Sequence, residues 1–130
     1  MHTTTILIDL DGTLIDPKVG IAACIQHALH RLGRSAPHAD DLEWCIGPPL
    51  AASLAQLLDT DDERLIQDAL AGYRERFSQQ GKFENTVYAG IPQALAGLVE
   101  AGRTLILATS KPRPYAQDIL EHHFLRDYFF

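Results

Sequence analysis

Two carboxylates separated by one residue stand near the start of the chain, directly after a short apolar run. Asp9 and Asp11 follow Ile6-Leu7-Ile8, and Gly12 and Thr13 come immediately after them. A carboxylate can attack phosphorus and form an acyl phosphate. A second carboxylate can protonate the leaving oxygen and then activate water. Gly12 permits a turn in which backbone amides face an anion, and Thr13 can donate its hydroxyl to the same anion.

The same residues could instead form an ordinary surface turn, in which Asp and Gly are common. Four specified residues match by chance at about one site in 10⁵, and the position after an apolar run favours chemistry over a turn. Two anions facing a phosphate repel it, so a hard cation is needed. Mg²⁺ suits this role because it is held by a few carboxylate oxygens together with water and phosphate oxygens. We therefore predict that Asp9 and Asp11 bind Mg²⁺.

A second polar cluster follows another apolar run. Thr109, Ser110 and Lys111 come after Thr104–Ala108 and before a predicted helix. Hydroxyls and an ammonium group at a strand end suit an oxyanion, although such a turn taken alone is usually a helix cap. In a parallel sheet, ligands bind at the carboxyl ends of the strands. We therefore predict that Thr109, Ser110 and Lys111 join Gly12 and Thr13 in binding a phosphate group.

The elements that must position these residues alternate between strand and helix. The apolar periodicity predicts a strand over 4–10, a helix over 92–101, a strand over 104–108, a helix over 115–123 and the start of a third strand at 127–130. Four helices are predicted between Pro17 and Gln80, and an irregular connector over 82–90. This order predicts an α/β fold, with a Rossmann-like parallel sheet that is incomplete and an inserted α-helical cap domain. We place the core at 1–14 and 86–130 and the cap at 15–85, with the two full strands paired.

The composition argues against nucleic acid and membranes as partners. The chain has 130 residues, 46% of them apolar, with 17 acidic against 11 basic residues and a formal charge of −6. It lacks the basic stripe of a nucleic-acid binder, a signal peptide and an apolar run long enough to span a membrane. We expect a cytoplasmic protein that acts on a small molecule. Cys24 and Cys45 have no metal-like spacing and are predicted to be buried thiols; Trp44 is predicted to lie in the cap core.

With these motifs the sequence resembles the haloacid dehalogenase-like hydrolase superfamily, in its phosphoglycolate phosphatase-like branch with a helical cap. The resemblance covers essentially the whole chain and includes Asp9-Leu10-Asp11-Gly12-Thr13-Leu14, Ile46-Gly47-Pro48-Pro49-Leu50, Val87-Tyr88-Ala89-Gly90-Ile91 and Leu107-Ala108-Thr109-Ser110-Lys111-Pro112. It implies that Asp9 is the nucleophile and Asp11 the acid/base. It also implies that Asp9 and the Asp11 carbonyl bind Mg²⁺, and that Thr109 binds phosphate. Gly47 and Pro48 would lie in a cap loop that selects substrates, or in a simple helix–helix joint.

The sequence also departs from the family pattern. Members continue for roughly eighty further residues, within the usual size of one domain, and that stretch supplies a phosphate-binding lysine and acidic residues for the magnesium site. After Thr109 the carboxylates of this chain are Asp118, Glu121 and Asp127, and none follows a Gly-Asp turn. The strands of that stretch would also cover the free edge of the first strand. We therefore expect possible self-association through this edge.

The leading interpretation is a magnesium-dependent phosphomonoester hydrolase that acts through an aspartyl-phosphate on a small phosphorylated metabolite. A sugar-phosphate mutase of the β-phosphoglucomutase type shares the carboxylate pair and the helical cap, so it remains an alternative. Dehalogenation is disfavoured because it needs no second carboxylate, whereas Asp11 is present. The alternative from another class is a non-catalytic fragment that lacks the later motifs. For these 130 residues alone we expect weak activity at most.

Overall fold

The chain folds into two compact units, and the computed structural model describes residues 4–130 of it. The first, here the α/β unit, comprises the chain up to Asp16 together with Thr86–Phe130; the second, the helical unit, is Pro17–Asn85. In chain order the strands and helices are β1 (Thr5–Ile8), β2 (Ile15–Asp16), α1 (Lys18–Arg31), α2 (Leu50–Leu58), α3 (Glu63–Gln79), β3 (Thr86–Val87), α4 (Ile91–Glu100), β4 (Thr104–Leu107) and α5 (Arg113–His122). Short 3₁₀ helices cover Ala39–Cys45, Gly81–Phe83 and Arg126–Tyr128.

β1 and β4 are parallel neighbours, as the alternation of strand and helix predicted. Thr5 lies opposite Thr104 and Ile8 opposite Leu107. One further bond, from the amide of Ala108 to the carbonyl of Ile8 at 2.8 Å, extends the pairing past the last residue of β4. The α/β fold class and the pairing of the two predicted strands are therefore confirmed, and the carboxyl ends of both strands meet at one edge.

One face of this small sheet packs against helices. Ile6 and Ile8 of β1 contact a buried cluster to which α4, β4 and α5 also contribute. Its fully buried members include Leu95, Leu105 and Ile119. Because side chains alternate across a strand, Leu7 points to the opposite face, where it is 67% exposed. Leu7 therefore exposes apolar surface on a face of the sheet, whereas the predicted self-association concerns the edge of β1.

The loop after β1 begins earlier than the sequence suggested. The strand predicted over 4–10 ends at Ile8, because the carbonyl of Leu10 already accepts hydrogen bonds from the amides of Thr13 and Leu14, at 3.2 and 2.9 Å. The chain turns there instead of extending the strand. This turn places Asp9 and Asp11 on a compact loop rather than on the strand itself.

Two further regions differ from the sequence prediction. The connector over 82–90 contains β3, which pairs antiparallel with β2 so that Ile15 lies opposite Val87; β2 therefore belongs to the α/β unit. Asp127 and Tyr128 end a 3₁₀ helix instead of starting a strand, and Phe129 makes a parallel bridge to Leu105. β4 thus has a neighbour on each side. Strand segments this short have no alternation that a sequence pattern could reveal.

In the helical unit, α1 packs along α3, and α2 packs on α3. The α1 residues at helical spacing are buried as predicted: Ile21, Cys24, Ile25, Ala28 and Leu29. α3 begins at a cap in which the Asp62 carboxylate accepts the amide of Arg64 at 3.0 Å. Both cysteines are buried, which confirms that prediction.

Trp44 does not lie in a core. It is 41% exposed, and its indole Nε1 donates to the carbonyl of Asp41 at 3.0 Å. The 3₁₀ helix over Ala39–Cys45 turns Leu42 and Cys45 inward instead, so the prediction for Trp44 is wrong. Among residues 4–130, each helix is too short or too polar to cross a lipid bilayer.

Candidate active site

Asp9 is the first residue of the loop that follows β1. Its side chain is exposed, and its Oδ1 accepts the amide of Leu10 at 2.8 Å. Leu10 itself is completely buried, and its carbonyl accepts hydrogen bonds from the amides of Thr13, Leu14 and Ile15. The carboxylate of Asp9 is therefore oriented by a rigid anchor while it remains accessible from solvent.

Gly12 supplies the backbone conformation that closes this loop. Its φ of 81° lies in the left-handed region that favours glycine, and its amide donates to the carbonyl of Ile15 at 2.8 Å. The amide of Thr13 is likewise bonded inside the loop, to Leu10. The sequence suggested that these amides face a phosphate, whereas the structure uses them to hold the loop. Phosphate binding here stays a prediction that rests on the exposed hydroxyl of Thr13.

The structure brings the two predicted polar clusters together. Lys111 Nζ lies 3.0 Å from Asp11 Oδ2, and both side chains are largely buried. Lys111 is fixed at its other end too, because its amide donates to Thr109 Oγ1 at 3.2 Å. Thr109 is half-buried at the end of β4, and Ser110 is exposed. The parallel register of β1 and β4 is what allows loops so distant in sequence to touch.

The other oxygen of Asp11 is the candidate atom for binding a proton or a cation. Oδ1 is buried and has no hydrogen-bond partner among residues 4–130. Oxygens of Asp9 and Asp11 form a hard donor set, and Mg²⁺ is commonly held by one or two carboxylates while it keeps several waters. Within the described residues, no cluster of three or more His, Cys, Asp or Glu side chains could hold a metal. The donors present fit Mg²⁺ bound in the open manner typical of phosphate chemistry.

Space for a ligand lies beside the cluster. Thr109 and Lys111 line a cavity of about 360 Å³ in the α/β unit, a size within the range of small-molecule sites. Its wall also contains the cations Arg113 and Arg126, together with Gln117. The apolar lining residues are Ile106, Leu107, Ala116, Leu120, Phe129 and Phe130. The lining therefore combines positive charge with apolar surface.

Gly47 and Pro48 belong to the helical unit. They are exposed, Gly47 has a φ of 107°, and both precede α2. The structure thus places them outside the unit that contains the carboxylates, and their selection of substrates stays a prediction.

The contact between Lys111 and Asp11 is the feature that sequence reasoning missed. Lys111 was assigned to a phosphate rather than to a side chain. Asp11 and Lys111 lie at similar distances past Ile8 and Leu107, which end the two strands side by side, so the contact follows once the register of the strands is known.

The fold agrees with comparisons to known proteins. Residues 6–130 match the haloacid dehalogenase-like hydrolases, and the chain belongs to that family. A crystal structure of a predicted phosphatase from Clostridium acetobutylicum superimposes with a TM-score of 0.90 at 36% identity, over 99% of this chain and 59% of that one.

Curated relatives give a similar result. A 5'-nucleotidase from Pseudomonas aeruginosa is 48% identical over 117 residues, which are 90% of this chain and 52% of the relative. A phosphoglycolate phosphatase from Photobacterium profundum is 29% identical over 95% of this chain and 57% of its own length. The tyrosine-protein kinase PtkA from Mycobacterium tuberculosis is 35% identical over 95% of this chain and 42% of its own length. The chain thus spans about half the length of the curated relatives it matches.

Proposed function

We propose that this protein is a magnesium-dependent phosphomonoester hydrolase in which Asp9 is the nucleophile and Asp11 the acid/base. The observation that carries the proposal is the meeting of the two strand-end loops, with Lys111 Nζ 3.0 Å from Asp11 Oδ2. Membership of a hydrolase family and similarity to several phosphatases support it.

In this proposal the two carboxylate oxygens of Asp9 have different roles. The amide of Leu10 occupies Oδ1, so Oδ2 is the oxygen that attacks phosphorus. As the new O–P bond forms, the bond from phosphorus to the leaving oxygen breaks, and Asp11 gives its proton to that oxygen. Water then attacks the phosphorus of the aspartyl-phosphate, and Asp11 takes a proton from this water. Orthophosphate leaves, and both carboxylates return to their starting states.

Asp9 and Asp11 would hold the metal ion. When bound, Mg²⁺ supplies positive charge that offsets the repulsion between these carboxylates and the substrate phosphate. The hydroxyls of Thr13, Thr109 and Ser110 bind the oxygens of the phosphoryl group in this proposal.

The relatives indicate which substrates to test. The relative at 48% identity is a 5'-nucleotidase, so nucleoside 5'-monophosphates come first and phosphoglycolate second. We infer that the exposed loop at Gly47 and Pro48 contributes to this choice.

A second candidate is transfer of the phosphoryl group to a hydroxyl instead of water. The similarity to PtkA is the observation that favours it, and a sugar-phosphate mutase would also belong to this class. Hydrolysis releases orthophosphate in proportion to the substrate consumed, whereas transfer yields a new phosphoester. Product analysis by ³¹P NMR separates the two.

The test of hydrolysis is release of orthophosphate from p-nitrophenyl phosphate by the purified chain. We expect slow turnover, in line with the weak activity expected of these 130 residues, that requires Mg²⁺, is removed by a chelator and is absent in Asp9→Asn. Asp127→Asn is the matched control, because it removes an exposed carboxylate from the same unit and should retain wild-type turnover. Equal rates in wild type and Asp9→Asn, or no release by the wild type, would overturn the proposal.

A further inference from the structure

We propose that Lys111 is a positioning residue for Asp11, holding the acid/base carboxylate in its working orientation, and not a ligand of the phosphoryl group. This inference rests on the proposed function and deepens it. It replaces the sequence-based assignment of Lys111 to phosphate binding.

The lysine is built into the fold rather than extended into solvent. Its side chain is 10% exposed and its Nζ lies 3.0 Å from Asp11 Oδ2. Its own amide donates to Thr109 Oγ1 at 3.2 Å, which fixes the backbone from which the side chain departs. Because the side chain is buried and both the backbone amide and the ammonium group have partners, the ammonium group has one well-defined position.

Asp11 needs such a support more than Asp9 does. Asp9 receives the amide of the next residue on Oδ1, whereas Asp11 Oδ1 has no hydrogen-bond partner in the described part of the chain. Asp11 also precedes Gly12, whose φ of 81° bends the loop. The contact with Lys111 is therefore what orients this carboxylate. The two oxygens therefore differ: Oδ2 contacts Lys111, and the buried Oδ1 has no hydrogen bond among the described residues.

This role predicts a dependence on the leaving group that a phosphate ligand would not show. Protonation matters greatly for an alkoxide leaving group and little for p-nitrophenolate, which leaves readily without a proton. A misplaced acid therefore slows alkyl phosphates selectively. Loss of a phosphate ligand slows all substrates alike and also weakens binding of orthophosphate, because that ligand contacts the group all substrates share.

The experiment compares Lys111→Met, Asp11→Asn and the double variant on p-nitrophenyl phosphate and on glycerol 2-phosphate. We expect Lys111→Met to lose at least about tenfold more kcat on glycerol 2-phosphate than on p-nitrophenyl phosphate. Inhibition by orthophosphate should change by less than about twofold. The double variant should be no slower than Asp11→Asn alone, since residues that act through one another are not additive.

Two further variants keep the test decisive. Lys82→Met is the matched control, because it removes a lysine from the helical unit, and it should behave as wild type. If Lys111→Met fails to fold, Lys111→Gln supports the same comparison with a shorter polar side chain.

The outcomes separate this inference from the proposed function. Equal losses on both substrates with weakened orthophosphate binding, or additive losses in the double variant, would overturn the positioning role while leaving the hydrolase intact. A wild-type chain without Asp9-dependent turnover would overturn both.

Discussion

Two ion pairs of similar burial, one in each unit, differ in how completely their atoms are bonded. In the helical unit the Arg76 guanidinium donates two hydrogen bonds to the Glu84 carboxylate, from Nη1 to Oε1 at 2.6 Å and from Nη2 to Oε2 at 3.2 Å. The two side chains are 19% and 26% exposed. In the α/β unit Lys111 and Asp11, 10% and 23% exposed, share one contact of 3.0 Å. Asp11 Oδ1 is buried there without a partner among the described residues.

The two pairs differ in their surroundings as well. Arg76 also contacts Cys24 Sγ at 3.4 Å, and the hydrogen bonds that its guanidinium donates to Glu84 hold the pKa of Arg76 above the ordinary value despite desolvation. A buried ion pair repays its desolvation only when its remaining atoms are also hydrogen-bonded, so a half-bonded buried pair is costly. Under the proposed function, the incomplete bonding of Asp11 belongs to a carboxylate that takes part in the reaction.

The largest effect on kcat is expected when Asp11, the carboxylate of the Lys111–Asp11 pair, is replaced. Asp11→Asn should lower kcat on alkyl phosphates by about 10²–10⁴-fold, the usual scale of acid–base catalysis. The free energy of unfolding should fall as well, by up to about 3–5 kcal/mol, because the largely buried ammonium group of Lys111 loses its carboxylate partner. Steady-state kinetics and urea unfolding measure the two quantities. A variant that loses stability but keeps its rate would reverse the comparison.

The next effect is on stability and belongs to the helical unit. Glu84→Gln should lower the free energy of unfolding by about 1–3 kcal/mol, since it breaks a bidentate charge-assisted pair. The kcat of the folded protein should stay at the wild-type value. Glu75→Gln is the matched control, because its pair with Arg31 is about half exposed on both sides and should contribute less than about 1 kcal/mol. Equal losses in the two variants would show that the bidentate geometry is irrelevant.

Each unit also has an exposed apolar residue, and the effects of replacing the two can be compared. Leu7 on β1 is 67% exposed and Val19 on α1 is 64% exposed. If the sheet face that bears Leu7 mediates self-association, Leu7→Thr should weaken the dimer by about tenfold, in line with about 1.5 kcal/mol for burying one Leu side chain. Val19→Thr should have no effect. Sedimentation velocity over a concentration series distinguishes these outcomes, and a monomeric wild type would refute the prediction.

The smallest effect concerns pH. Desolvation, and secondarily the charge of His122, lower the pKa of His123 from its ordinary 6.5. The folded state therefore binds this proton less readily than the unfolded state does. The resulting stability is present above pH 6.5 and is lost as pH falls, with a slope below about 1.4 kcal/mol per pH unit for one group. His123→Gln should flatten this slope in urea unfolding, and an unchanged slope in this variant would contradict the assignment.

Local patterns explain what the sequence could predict. Asp9, Asp11 and Gly12 form a contiguous motif after an apolar run, and the buried face of α1 follows from helical spacing. The pairing of β1 with β4 follows from the general behaviour of parallel sheets. These features depend on neighbours in sequence or on rules that hold for all such folds.

Contacts set by register could not be predicted in the same way. The pairing of β2 with β3 joins two-residue segments that are distant in the chain, and so short a segment has no periodicity. The partner of Lys111 depends on how β1 and β4 align, which hydrophobic pattern alone leaves open. Trp44 was misplaced because a 3₁₀ helix presents its faces at a different spacing from an α-helix.

The central claim is that Asp9 carries the phosphoryl group, and direct mapping of the phosphorylated residue tests it. Acetyl phosphate is the donor, because its leaving group needs no proton from Asp11. After acid quenching, borohydride reduces an aspartyl-phosphate to homoserine, which peptide mass spectrometry locates. We predict homoserine at position 9 in the wild type, more of it in Asp11→Asn, where water attack is slowed, and none in Asp9→Asn. Modification at Asp11 or elsewhere, or at no residue, would contradict the account.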